Sequence, residues 1–129
     1  NHIMQPQEIS EKVITEGLVK LGLLDGDPEE LHKSGAYKEF YMHKIGHWLG
    51  LDVHDAGDYV EGEEYMTFKP GMITTIEPGI YISSSMDIDD KWKGIGIRIE
   101  DDILVTKEGN ENLTKKVPSD PEEIESLMS

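Results

Sequence analysis

Apolar residues recur at helical spacing near the start of the chain. Ile9, Val13, Ile14, Leu18 and Leu21 fall on one side, with Glu8, Lys12, Thr15 and Glu16 off it. The spacing predicts a helix over residues 7–21, with Gly22 placed to end it as a left-handed cap. Asp25-Gly26 then reads as a turn. Asp27-Pro28-Glu29-Glu30 has the marks of a second helix start: Asp as N-cap, Pro at the first helical position, acids in the first turn. That helix should be short and end near Ser34-Gly35.

The period then changes. Residues 41–58 are rich in Gly and His without a clean repeat and read as short extended pieces and loop. Residues 61–71 are acidic and turn-rich, a surface excursion. Residues 72–77 are β-branched and lie between Pro70-Gly71 and Pro78-Gly79, which predicts a strand that 80–82 extend. Residues 83–93 are polar and read as a loop. The clearest strand is 96–106, with Ile97, Ile99 and Ile103 on one face and Arg98, Glu100 and Asp102 on the other. A turn at 107–110 leads to a return strand at 112–117. Asp120-Pro121-Glu122-Glu123 repeats the capping logic, with Glu123 placed for a capping box, and opens a final helix to Met128. Helices first and strands after predict an α+β fold with a mostly antiparallel sheet.

Composition narrows the function. The chain has 129 residues, the size of one ordinary domain or a piece of a larger one. Its 27 acidic and 12 basic residues give a net charge of −15, which argues against nucleic acid and anionic membrane surfaces as partners and is compatible with cations. The hydrophobic fraction of 36% is low for a globular protein but not low enough for disorder. Cysteine is absent, which excludes disulfides and thiolate metal sites and fits a cytoplasmic protein. No apolar run is long enough to span a membrane, and no signal-peptide pattern is present. Asn1-His2-Ile3 precede the first methionine, Met4; residues 1–4 read as a vector remnant or a trimmed start, so His2 is set aside.

His43, His47 and His54 fall within a dozen residues, among Asp52 and Asp55. Imidazoles with carboxylates are a ligand set for Zn, Mn, Fe and Co ions, although spacing alone slightly favours a turn-rich loop with satisfied histidines. Glu77 ends an apolar strand directly before Pro78-Gly79 and is either a solvated strand end or a ligand aimed by a rigid turn. Glu100 shares a strand face with Arg98, which could orient or neutralise a carboxylate site, or both could face water. No nucleophile elbow, phosphate loop, dinucleotide fingerprint or EF-hand is present. Trp48 and Trp92 read as packing or substrate-wall residues.

Four segments in order add a resemblance: Met42-His43-Lys44-Ile45-Gly46-His47-Trp48-Leu49-Gly50-Leu51-Asp52-Val53-His54-Asp55, Ile76-Glu77-Pro78-Gly79-Ile80-Tyr81, Gly94-Ile95-Gly96-Ile97-Arg98-Ile99-Glu100-Asp101-Asp102, and Gly109-Asn110-Glu111-Asn112-Leu113-Thr114. Together they closely resemble the C-terminal half of the Xaa-Pro aminopeptidases (aminopeptidase P), pita-bread metallopeptidases related to prolidase, creatinase and methionine aminopeptidase. The resemblance runs from about residue 10 to the end and implies the C-terminal half of a pita-bread domain over 1–129, with helices on one face of the sheet. It implies two Mn(2+) ions per complete site, held by five ligands. His47 and Glu77 would hold one ion and Glu100 would bridge both. His54 would contact substrate and the tetrahedral intermediate, His43 would line the substrate site, and Arg98 would support the carboxylates. Glu77 would also move a proton to the leaving proline nitrogen.

The implied activity is release of the N-terminal residue from peptides with proline second, by water that the two cations activate. The family's other two ligands are aspartates on upstream strands, and nothing in residues 1–41 resembles those strands. The expectation is therefore a partial catalytic domain, inactive alone, in which metal is absent or only partly held. An uncovered apolar face leads to the expectation of a homo-oligomer. A prolidase-like Xaa-Pro dipeptidase and a non-enzymatic pita-bread peptide-binding module are the alternatives; retention of His47, Glu77 and Glu100 argues against the second.

Overall fold

The computed structural model describes residues 1–129. Helix α1 (Gln5–Lys20) starts two residues earlier than its apolar spacing predicts, because Pro6 can occupy its first turn without needing a backbone donor. Gly22 ends it at φ +71°, and the Leu23 N–H reaches back to the Leu18 carbonyl at 2.9 Å. Helix α2 (Pro28–Ser34) is capped as expected: the Asp27 carboxylate accepts the Glu29 and Glu30 N–H groups. A short 3-10 turn over Ala36–Glu39 follows, which no apolar period announces.

The main core lies between α1 and this turn. Ile14, Leu18, Tyr37, Phe40, Tyr41 and Ile82 form one buried cluster. Full burial of Leu18 is worth roughly 1.5–3 kcal/mol. The expected apolar side of α1 is only half used. Ile14 and Leu18 enter this core, whereas Ile9 and Val13 remain 54% and 62% exposed and Leu21 is also exposed. Thr15 and Gln7 are buried instead. The helix therefore turns a different arc inward than its strongest apolar residues mark.

All strand pairings are antiparallel. The acidic excursion carries a small hairpin of β1 (Val60–Glu61) and β2 (Glu64–Tyr65). Strand β3 (Ile73–Ile76) appears where predicted, and β4 (Gly79–Tyr81) follows the Pro78 break. The single strand expected over 96–106 is two: β5 (Gly96–Arg98) pairs with β4, and β6 (Asp101–Val105) pairs with β3. The cause is Pro78, which has no N–H for the ladder. The register nonetheless runs through. Ile76 stands opposite Asp101 and Gly79 opposite Arg98, so Glu77 stands opposite Glu100.

Strand β7 (Asn110–Asn112) completes the sheet beside β6 and comes earlier than the predicted 112–117. The Asn112 side chain accepts the Thr114 N–H at 2.9 Å and turns the chain out of the ladder. Of residues 41–58, read as short extended pieces and loop, 45–49 are extended and run antiparallel along β3. The Glu77, Thr75 and Leu49 N–H groups donate to the Ile45, His47 and Ile73 carbonyls at 2.7, 3.0 and 3.1 Å. The other residues of 41–58 are loop, as expected. Helix α3 (Pro121–Met128) is capped by Asp120, but Glu123 makes no return bond to complete a capping box. Residues 1–3, set aside on sequence, belong to the packing: Ile3 is buried and donates its N–H to Met66.

Candidate metal centre

Strand alternation places Glu77, Gly79 and Tyr81 on one face of the 76–81 segment, with Arg98 and Glu100 on the matching face opposite. Residues 45–49 add His47 from the other side of β3. One nitrogen of His47 and one carboxylate oxygen each from Glu77 and Glu100 lie within 4.8 Å of one another. Two carboxylates directly opposite on one sheet face repel each other. Their persistence calls for compensating positive charge.

Part of it comes from Arg98, whose Nη1 lies 3.3 Å from Glu77 Oε2. The rest of the shell orients ligand atoms. His47 Nδ1–H donates to the Trp48 carbonyl at 3.0 Å, which leaves the Nε2 lone pair free in the neutral ring. That Nε2 faces Glu77 Oε1 at 3.3 Å. Two acceptors at this distance need a proton or a cation between them. Thr75 ties the pair together: its hydroxyl donates to Glu77 Oε1 at 3.1 Å and accepts the His47 N–H at 3.0 Å. Glu77 is buried and Glu100 is exposed, so the triad opens to one side. A borderline divalent cation fits this imidazole–carboxylate set.

His43 is linked to the triad rather than part of it. Its Nδ1–H donates to the Lys44 carbonyl at 2.7 Å, so its neutral Nε2 accepts from the Tyr81 hydroxyl at 3.0 Å. Tyr81 in turn accepts from Arg98 Nε at 2.7 Å. This hydrogen bond raises the pKa of the Arg98 guanidinium further and keeps it charged. The chain Glu77–Arg98–Tyr81–His43 thus spans the site. His54 is exposed, with its ring centroid 4.2 Å from that of His47. All six residues singled out on sequence therefore gather in one place. Tyr81 and Thr75 were not singled out; the same-face alternation from Glu77 would have found Tyr81, while Thr75 carried no signal. A cavity of about 580 Å³ adjoins the site, walled by Ile3, Ile45, Trp48, Phe68 and Ile76.

Two glycines shape this geometry. A Cβ at Gly46 would lie 1.8 Å from the Thr75 carbonyl oxygen, so only glycine lets the histidine segment close on β3. A Cβ at Gly79 would lie 2.5 Å from the Tyr81 hydroxyl, so glycine leaves room for the tyrosine to reach Arg98.

Comparison with known proteins identifies the family. The model of metallopeptidase family M24 matches residues 4–107, and the chain belongs to that family. Xaa-Pro aminopeptidase of Escherichia coli (strain K12) is 51% identical over 117 residues, 91% of this chain and 26% of that protein. Xaa-Pro aminopeptidase of Haemophilus influenzae is 48% identical over 129 residues, 100% of this chain and 30% of that protein. The structure of Pseudomonas aeruginosa aminopeptidase PepP superposes with a TM-score of 0.95 at 54% identity, covering 98% of this chain and 29% of that one. The fold is the pita-bread fold of these enzymes, α+β as expected. The chain spans under a third of the length of these relatives.

Proposed function

We propose that this chain forms the C-terminal part of a Xaa-Pro aminopeptidase catalytic site, in which His47, Glu77 and Glu100 would hold manganese and Glu100 would be shared by the two ions of the complete site. The observation that carries this reading is the convergence of the three ligand atoms within 4.8 Å, in a family whose relatives bear that activity by name. When bound, the metal supplies Lewis acidity and lowers the pKa of water.

The chain's own residues do the rest. Arg98 and Thr75 hold the Glu77 carboxylate from two sides. Glu77 would take the proton that the attacking water gives up and pass it to the leaving proline nitrogen. His54, exposed beside His47, meets the substrate and the developing negative charge. His43, held by Lys44 and Tyr81, lines the substrate site. The substrate is a peptide with proline in second position. No helix is long and apolar enough to cross a membrane. The protein acts in the cytoplasm, consistent with its lack of cysteine.

The test is release of the N-terminal residue from an Xaa-Pro-Xaa peptide with manganese added. Residues 1–129 alone should be inactive. The same chain preceded by the upstream strands of an M24 relative should be active, and Glu100→Gln should abolish that activity. An inactive completed protein would overturn the reading. Activity of 1–129 alone, lost in Glu100→Gln, would mean that the remaining ligands come from another copy.

A further inference from the structure

A buried polar network outside the site ends on the segment that carries both inner histidines. Gln7, in the first turn of α1, is only 7% exposed. Its Oε1 accepts the N–H of Ile45 in a buried hydrogen bond. Its Nε2 donates to Glu11 Oε1 at 2.9 Å. The orientation of this amide is unambiguous, since the Ile45 N–H can meet only an acceptor. Ile45 lies two residues from His43 and two from His47, and its carbonyl accepts the Glu77 N–H at 2.7 Å. The Gln7 side chain therefore holds the same residue whose carbonyl receives the Glu77 N–H.

The network does not stop at Gln7. Burial acts to raise the Glu11 pKa. Hydrogen bonds from Gln7, Tyr37 and His32, with the charge of His32, outweigh it and hold the carboxyl below its usual range. His32 Nε2 lies 3.5 Å from Glu11 Oε2 and has no other partner although it is buried. Glu11 is thus kept as an anion that fixes the Gln7 NH₂ group, which turns the amide oxygen toward Ile45. None of these residues touches the triad, and packing alone does not require a glutamine there.

We propose that Gln7 is a positioning residue for the centre, acting through Ile45 to set the rotation and tautomer of His43 and His47, with Glu11 as the group that orients it. Loss of the acceptor at residue 7 frees the 43–47 segment from α1. The Lys44 and Trp48 carbonyls that fix both imidazoles then shift, because each histidine bonds to the carbonyl of its immediate neighbour. The inference concerns the metal site proposed above, and its readout does not depend on activity.

The experiment is long-range nitrogen–proton NMR of the histidine rings in this chain, above the pH range where histidines are charged, with circular dichroism as the check of folding. In the unsubstituted chain His43 and His47 should each show one species protonated at Nδ1. Gln7→Met keeps the size and removes the acceptor; both rings should then give mixed tautomers in a folded protein. The exchange Gln7→Glu with Glu11→Gln restores an acceptor for Ile45 and a donor beside it, and should return single Nδ1-protonated species. If Gln7→Met does not fold, Glu11→Met alone replaces it, because it leaves the Gln7 NH₂ without its acceptor, and should give the same mixture. Unchanged histidine signals in a folded Gln7→Met or Glu11→Met chain, or an exchange variant that stays mixed, would overturn the proposal. With the same substitutions in the protein completed by upstream strands, manganese affinity should fall about tenfold on loss of the acceptor and recover in the exchange. Absence of manganese binding by that completed, unsubstituted protein would count against the metal reading alone, since the ring signals are read without metal.

Discussion

At the scale of single residues, the opposed carboxylates have a measurable consequence. Glu77 and Glu100 face each other across the sheet with Arg98 on only one of them. Without metal, Glu100→Gln removes a like-charge repulsion and should raise stability by roughly 0.2–1 kcal/mol. With manganese the order should reverse, because the metal stabilises only the protein that binds it. Thermal unfolding of both proteins, each preceded by the upstream strands of an M24 relative, with and without manganese, reads the crossover; a completed unsubstituted protein that gains nothing from manganese would remove the ligand assignment. A second consequence lies in the core. Burial, reinforced by Glu11, pushes the Tyr37 pKa up from 10.0 to about 12. The folded state therefore keeps a proton that the unfolded chain releases. The associated stability is complete below pH 10.0 and is lost as the pH rises through about 12, a total of about 2–3 kcal/mol. Urea unfolding across that window should show the decline, and Tyr37→Phe should flatten it in part, since burial also raises Tyr41. An equal slope in Tyr37→Phe would contradict the assignment. His43, His47, His54, Glu77, Arg98 and Glu100 were legible because their motifs stand in order along the chain. Gln7, Thr75 and Tyr81 act through contacts made by other segments, and a polar residue in an amphipathic helix gives no sign that it will be buried.

At the scale of elements, the site depends on a strand that no period announces. Residues 45–49 contain glycine and a single polar side chain, His47, set among apolar ones, so no alternation marks them. What makes them a strand is the neighbouring edge of β3, which supplies partners at Ile73, Thr75 and Glu77. Gly46→Ala puts a methyl group into the Thr75 carbonyl and must push the two strands apart. We expect a loss of about 1–3 kcal/mol in urea unfolding and weakened metal binding together, because the overlap is with backbone, which cannot rotate away. A variant with unaltered midpoint would show that 45–49 is not held against β3. Cap chemistry carried the helices well: Asp27 and Asp120 start α2 and α3 where the sequence places them. The strand over 96–106 was read in its place and direction but not in its interruption. Pro78 belongs to the partner strand, and its missing donor is felt only once the pairing is known.

At the scale of the molecule, half of the apolar arc of α1 points away from its own core. Ile9 and Val13 line, with Phe68, Ile103 and Val105, an open cavity of about 820 Å³. Ile97 and Ile99 are exposed on the same chain segment that carries Arg98 and Glu100. Part of the face that sequence periodicity marks as buried is therefore left open by this chain: the periodic expectation and the observed burial disagree at Ile9 and Val13 and agree at Ile14 and Leu18. Exposed apolar surface of this kind favours association. We expect residues 1–129 to form homodimers or larger assemblies through it. The net charge of −15 opposes that association by long-range repulsion, which salt screens over about 10 Å at moderate ionic strength. The mass measured by light scattering should therefore exceed that of the monomer at high protein concentration and rise further with added salt. Replacement of Val13 by a charged residue should return it to the monomer without changing the helical signal, because Val13 is mostly exposed and makes no part of the core cluster. A monomeric mass across a wide concentration range in high salt would sink the expectation.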